Sequence, residues 1–568
     1  MEAFQSRSFS AAQVKAAFVR ADGWTLGTIV LTLAAVIPVA AVVGIAFTPG
    51  DDIWGHLVST VLPTYISTTL QLGTGVGAGT LIIGVGTAWL VTTCRFPGRK
   101  IFEWALLLPM AMPAYVIAYV YTDILEYAGP VQETLREIFG WTTKREYWFP
   151  EIRSLGGAIS MMTLVLYPYV YLLSRAAFME QNICVLEASR VLGRGPWRSF
   201  FTVALPVARP AVVVGVTLVL METLNDFGTV DFFAVSTFTL GIFDVWMNMN
   251  NMAGASQLAS LLLFFVILLV LLERFGRRKQ RFHHTTTKYK ALPGYKLSRG
   301  RETLVFIACA LPVVFGFLLP SGVLVGFAVV FFEDAANFKV LGYAINSIGL
   351  SALAAVLAVG IAIFMAYGVR MHGGKILKPV TRVATLGYAV PGAVLGVGVI
   401  VALTTLDNGI DAFMLSTFGI STGLLFSGSI AAVTFGYMVR FLALSYGTVE
   451  ASLTKITPNM EGAARSLGHG PASTLRRVHM PLMKGSVLTA AMLVFVDCMK
   501  ELPMTVILRP FNFETLATFV HQFASDEQLE EASIGALAIV ISGILPVLLL
   551  SYAIARSRPG QETAGQAT

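Results

Sequence analysis

Long apolar runs decide what this chain can fold into. About twelve of them reach the ~20 residues needed to cross a hydrocarbon core of ~30 Å. They lie at roughly 24–47, 66–94, 102–123, 155–177, 208–225 and 256–273, then 303–331, 344–369, 378–404, 424–447, 484–507 and 533–556. In lipid, backbone N–H and C=O groups must be satisfied within the segment, so each run is expected to be a helix. Only 13% of the 568 residues are charged, against about 25% in soluble domains. The expectation is an all-α integral membrane protein.

Basic residues orient it. Residues 274–301 carry ten Lys or Arg and no acid. The turns after the second and eighth runs hold Arg95, Arg99, Lys100, Arg370 and Lys375. These fall on one side if both termini are cytoplasmic. Asp51, Asp52, Asp407, Asp411, Asp526, Glu527, Glu530 and Glu531 fall on the other. Cytoplasmic basic loops account for the net charge of +7 without a nucleic-acid partner. The run at 24–47 is too long for a signal-peptide core and reads as a retained span. Cys94, Cys184, Cys309 and Cys498 show neither metal-type spacing nor a disulfide framework.

The chain is also duplicated. Arg190, Leu192, Gly193, Gly195, Pro196 and Pro206 recur 275 positions later as Arg465, Leu467, Gly468, Gly470, Pro471 and Pro481. Arg95 and Lys100 map onto Arg370 and Lys375, and Glu222 and Asp226 onto Asp497 and Glu501, at the same offset. Loops shift the register slightly, so that Pro113 pairs best with Pro391. Six spans per half is an even number, which makes the repeats parallel, about an axis normal to the membrane. The halves are expected at 1–273 and 302–568, joined by a basic linker at 274–301.

Each repeated loop, 181–207 and 455–482, reads as helix, glycine turn, helix. Helix-forming residues run to Gly193 or Gly468, where a helix would end. Pro196 or Pro471 starts a second short helix. Leu205-Pro206 or Met480-Pro481 ends that helix and leads into the next span. Such an element can lie in a groove on a partner protein. The alternative is a loop that only caps the bundle, but loop sequences drift unless something holds them.

The pattern Glu-Ala-Ala, a glycine a few residues on, then Leu-Pro resembles the signature loop of ATP-binding-cassette importer permeases of the type I fold. The resemblance covers nearly the whole chain, twice. It implies that each loop docks into a cytoplasmic ATPase subunit and couples ATP hydrolysis to the spans. The implied coupling residues are Glu187, Ala188, Arg190, Gly193 and Pro206, with Glu461, Ala463, Ala464, Arg465, Gly468 and Pro481. Ser189 stands where the family often has alanine. In the second copy the acid is displaced by one, so that Gly462 aligns with Glu187. The implied partners are two ATPase subunits, an external substrate-binding protein and the bilayer of the inner membrane. The chain itself carries no cofactor; ATP and Mg belong to the ATPase. No Gly-x-x-x-x-Gly-Lys-Ser/Thr sequence is present.

Glu222 and Asp226, like Asp497 and Glu501, sit four apart and would share a helix face. At 1.5 Å per residue, Glu222 lies about 24 Å from Pro206 and Asp226 about 30 Å. That puts the acids in the outer half of the membrane, converging near the pseudo-twofold axis. An acid facing lipid costs roughly 2.5–3.5 kcal/mol at mid-membrane, so an inward setting is expected. Two readings stay open: a substrate pathway for a cation, or internal pairing with Lys500 and Arg509. The stretches Asp497-Cys-Met-Lys500-Glu501-Leu-Pro503 and Glu222-Thr-Leu-Asn-Asp226-Phe-Gly228 resemble ferric-iron importer permeases, which implies Fe(III) as cargo. Hard Fe(III) suits oxygen ligands, and a transit site must bind weakly enough to release, so no high-affinity metal site is expected. Aminophosphonate, thiamine or polyamine cargo remains an alternative, as does an ion-coupled secondary transporter.

Tyr115, Tyr119 and Tyr121 read as packing or interface anchors, with substrate contact as the minor alternative. Pro109, Pro113 and Pro391 read as helix bends. His283 and His284 are expected to be solvated, and His521 stays open.

Overall fold

The structure is a computed structural model. It describes residues 23–48, 53–181, 195–277, 295–332, 338–372, 377–454 and 456–556, with Ser189 and Val191. Ten helices are long and apolar enough to cross a membrane among these residues, or eleven if one bent pair counts as a span. A further helix, Leu529–Arg556, runs for 28 residues where the last span was expected.

Three helices form the core of each half, in the same arrangement. Leu62–Thr93 packs against Leu155–Glu180 and Leu205–Asn225; Phe338–His372 packs against Ile430–Thr454 and Met480–Met499. Small residues permit the close approach. A Cβ at Gly75 or Gly79 would come within 2.6 Å of Ile159 or 2.7 Å of Thr163. In the second half Ala354, Ala358 and Ala362, all fully buried, play that part. With no hydrophobic drive between helices in lipid, such small-residue stripes let backbones pack. The first helix of each half crosses over: Gly23–Ala46 packs on Gly392–Phe418, and 299–330 reaches the first half at Pro109 and Leu164. Gly23–Ala46 also turns Leu26, Val30, Leu33 and Ile37 outward while Thr28 and Thr32 are buried. Both hydroxyls return hydrogen bonds to carbonyls one turn earlier, at 2.7 and 2.8 Å. Apolar outside and capped hydroxyls inside is the pattern of a helix solvated by lipid.

Three expected spans differ in form. The run at 102–123 is broken: Arg99–Ala111 and Ala114–Phe139 meet at 90°. The run at 378–404 breaks likewise, between Leu377–Ala384 and Gly392–Phe418. The breaks coincide with Pro113 and Pro391, each the extended residue before the second helix. Proline has no N–H to give and its ring displaces the preceding turn. The run at 484–507 ends early, at Met499, and a short helix Pro503–Leu508 follows. Its counterpart, Gly228–Phe232, follows Leu205–Asn225.

The two Leu/Met-Pro sites do not end a helix, contrary to expectation. Trp197–Asn225 and Pro471–Met499 are each continuous for 29 residues. A π-helical turn, Phe200–Ala204 or Leu475–His479, sits just before Pro206 or Pro481. The wider turn accommodates the proline, whose missing N–H and bulky ring would otherwise break the ladder. Each loop is thereby joined to the far end of the bundle by one rod of about 43 Å.

Candidate functional site

Two places gather the expected residues. The first is a cavity of about 100 Å³ between the halves, lined by all four carboxylates, Glu222, Asp226, Asp497 and Glu501. They come from equivalent helix ends, and the repeat carries them to one cavity.

Of the two partners expected for internal pairing, Lys500 pairs with one of these acids and Arg509 does not. Asp226 accepts from the backbone N–H of Thr229 at 2.9 Å, the Thr229 hydroxyl at 3.0 Å and the N–H of Val230 at 3.2 Å. Glu501 does the same for the N–H groups of Met504 and Thr505, at 3.3 and 3.2 Å, and for the Thr505 hydroxyl. Each acid therefore satisfies free N–H groups at the start of a short helix. Glu501 is also 3.4 Å from Arg440, both side chains being almost wholly buried. Arg440 donates to Asn225 at 2.7 Å, and the N–H of Gly392 donates to the same oxygen at 2.6 Å. Only glycine fits there, since a Cβ on Gly392 would lie 2.6 Å from the Glu501 carboxylate. Lys500 pairs at 3.0 Å with Asp497, one turn back. Arg509 is engaged by Glu514, not by the cavity. Glu222 accepts from the Tyr388 hydroxyl at 3.0 Å. Four carboxylates thus face two cations in one cavity. Among the described residues no group of three His, Cys, Asp or Glu side chains is arranged to hold a metal ion.

Sequence reasoning missed Arg440 and Tyr388. Arg440 carried a signal, being an ionisable residue within an apolar run, which marks a functional position by default. Tyr388 carried none, and Asn225 stood out only as the residue aligned with Lys500 at the 275-residue offset. Tyr115 lines the cavity, Tyr121 donates to the Phe315 carbonyl at 2.7 Å, and Tyr119 meets His521 at 2.6 Å. Asp407 and Asp411 tie down the loop 421–427 through its backbone N–H groups.

The second place is the loop at the opposite end of the rods. Glu187, Ala188, Arg190 and Gly193 lie outside the described residues, as do His283 and His284. The second copy is described. Helix Pro458–Ser466 ends at a turn in which Gly468 has φ +80°. Ala464 is buried, whereas Ala463, Arg465 and Leu467 are exposed. Arg465 lies near the Met371 sulfur, at 3.7 Å. Glu461 points inward, into a contact with the Arg370 guanidinium, and His479 lies 3.3 Å away. Arg370 also donates to the carbonyls of Leu453 and Ile456. Tyr367 donates to the Pro471 carbonyl at 2.8 Å. The loop is therefore clamped to the end of Phe338–His372. The Arg370–Glu461 pair was missed, although both residues stood out singly.

Left-handed φ at Gly468 carries a prediction. A Cβ there would meet nothing within 4 Å, so the cost is backbone strain alone. Gly468→Val should loosen the turn by about 1–2 kcal/mol, and Gly468→Asn by less. Faster hydrogen exchange of amides 458–474 in the valine variant only would bear this out; equal exchange in both would not.

Duplicated helical halves, a polar cavity lined by both of them and a loop clamped at the foot of the second rod define a membrane permease. The sequence matches the family described as binding-protein-dependent transport system inner membrane component over residues 80–281 and again over 358–560. The chain belongs to that family. It is the inner-membrane, multi-pass permease component of an ATP-driven importer, with catalysis residing in an ATPase partner and substrate supplied by a binding protein. Among curated relatives, the Fe(3+)-transport system permease protein FbpB 2 of Haemophilus influenzae is 27% identical over 85% of this chain and 89% of its own length. The ferric transport system permease protein FbpB of Actinobacillus pleuropneumoniae is 23% identical over 84% of this chain and 69% of its own. The molybdenum transport system permease protein ModB of Escherichia coli is 32% identical, but over 26% of this chain and 61% of its own.

Proposed function

We propose that this permease imports ferric iron. Supplied by its binding protein, the ion passes the carboxylate cavity as the halves rock in alternating access. The observation that carries the reading is the charge of that cavity. Its four carboxylates outnumber its two cations, and both cations are already engaged by carboxylates. An oxyanion would have to displace one of those pairs, whereas a cation finds Glu222, whose hydrogen-bond partner among the described residues is the Tyr388 hydroxyl. The two iron-transport relatives span most of the chain, which supports the same cargo. The molybdenum, 2-aminoethylphosphonate and sulfate permeases match under a third of it.

In this reading the termini and both loops face the cytoplasm. Halves 1–273 and 302–568 each present one loop to one of two ATPase copies, and 274–301 links them. Exposed Leu467 and Met460 on the second loop, with Trp197 and Phe201 beside the first, supply apolar contact of the kind protein interfaces use. Glu461 acts from behind, holding the docking helix to Phe338–His372 through Arg370. Asp226 and Glu501 shape the cavity by capping its short helices, while Glu222 and Asp497 face the cargo.

Uptake of radiolabelled Fe(III) by cells with and without this chain tests the reading. Glu222→Gln, which keeps the Tyr388 hydrogen bond and removes the charge, should lower iron uptake at least tenfold, equivalent to about 1.4 kcal/mol. Unchanged iron uptake, with uptake of an oxyanion instead, would replace iron by that anion.

A further inference from the structure

The two halves meet at two pseudo-equivalent crossings at the end of the bundle away from the loops, and the crossings are not alike. At one, helix Leu516–Ser525 of the second half packs on Ala114–Leu125 of the first. There the Tyr119 hydroxyl lies 2.6 Å from His521 Nδ1, and His521 Nε2 lies 3.4 Å from Asp231. Asp231 belongs to the short helix Gly228–Phe232 itself. Arg153, stacked 4.8 Å over Phe232, adds a second link across the halves, to Glu527 at 3.3 Å. This short helix is latched.

At the other crossing the counterparts of Tyr119, His521 and Asp231 are apolar. Thr237 and Thr515 cap equivalent helices, and that register places Phe243 where the latch has His521. The Pro113–Pro391 register places Val397 at Tyr119, and the 275-residue offset places Val506 at Asp231. Beside Val506 a cleft of about 840 Å³ lies between Trp246 and Met247 of the first half and Lys339, Tyr343 and Gln522 of the second. Helix Pro503–Leu508 divides this cleft from the central cavity: Leu502 and Pro503 line the cavity, Val506, Ile507 and Leu508 the cleft.

We propose that the outer gate is one-sided. The cleft is the port that admits a small polar cargo, and Pro503–Leu508 is the gate that moves. Gly228–Phe232, held by Tyr119, His521, Asp231 and Arg153, stays fixed as the opposing wall. This rests on the ATP-driven permease reading but not on the identity of the cargo.

Leu508 and Phe233 occupy equivalent positions and are both fully buried, at 1% and 2% exposure. The test uses Leu508→Cys and Phe233→Cys in the complete importer, with an impermeant maleimide added from the outer side. Labelling is compared with and without a non-hydrolysable ATP analogue, whose binding is measured on the same samples. The analogue should raise the labelling rate of Leu508→Cys at least about fivefold, the lower end of ordinary coupling between sites, and leave Phe233→Cys unchanged. Adding Asp231→Val and His521→Phe should make Phe233→Cys respond as Leu508→Cys does. Equal responses without those changes, or a response at Phe233→Cys only, would overturn the one-sided gate. No response at either site, with the analogue bound, would overturn a moving Pro503–Leu508. Loss of analogue binding would instead count against the ATP-coupled reading beneath it.

Discussion

Arg440→Met should be among the most damaging single changes in the membrane region. The substitution leaves the Glu501 carboxylate buried without its cation, since the two side chains are 3.4 Å apart and about 5% and 3% exposed. Removing one member of a buried ion pair typically costs about 3–5 kcal/mol. Arg440 also donates to Asn225, which holds the N–H of Gly392 at the start of Gly392–Phe418. The change therefore strikes both halves at their junction. Thermal unfolding of the purified protein should show a large loss for Arg440→Met and a smaller one for Arg440→Met with Glu501→Gln. The amide can keep an acceptor on the N–H groups of Met504 and Thr505 without stranding a charge. If the double variant is no more stable than the single, the ion pair is not what Arg440 contributes.

The second large effect is expected at the clamp. Arg370→Ala removes one guanidinium from three acceptors at once, the Glu461 carboxylate and the carbonyls of Leu453 and Ile456. Hydrogen bonds to charged groups are worth roughly 1.5–3 kcal/mol each, so the helix Pro458–Ser466 should lose its seat. In proteoliposomes with the ATPase and the binding protein, cargo uptake should fall by more than about tenfold, which needs only ~1.4 kcal/mol of lost coupling. ATP hydrolysis should continue. Arg370→Lys keeps the charge but not the planar fork, and should lie between the two. Parallel loss of uptake and hydrolysis would point to lost docking instead of lost coupling. Unchanged uptake would show that the clamp does not transmit force.

These two sites show how far the sequence could be read. The span positions were legible because lipid demands long apolar helices, and the duplication was legible as a fixed offset. The break in the third and ninth spans was marked by Pro113 and Pro391, but a proline does not state the size of the bend. Pro206 and Pro481 misled for the same local reason. They look like helix ends, yet a π turn absorbs each of them and the rod continues. The carboxylates stood out because charge is costly in lipid. Apart from Lys500, their partners did not, because nothing local ties Glu501 to Arg440, Asn225 to Gly392, or Glu222 to Tyr388.

The sequence by itself determined the class of this protein. Hydrophobic run length, basic loops, a 275-residue repeat and a duplicated loop are one-dimensional properties; they suffice for a duplicated membrane protein, and the loop's resemblance to a known family adds the importer permease. Only the tertiary structure decided what each charged residue does. Asp226 and Glu501 cap short helices, Glu461 holds a loop, and His521 latches one crossing while Phe243 and Val506 leave its counterpart open. The physical reason is that a charge in a low-dielectric interior is governed by whatever lies within a few ångströms, and those neighbours come from distant helices. Two halves of common pattern can therefore diverge in function at their contacts while still matching along the chain.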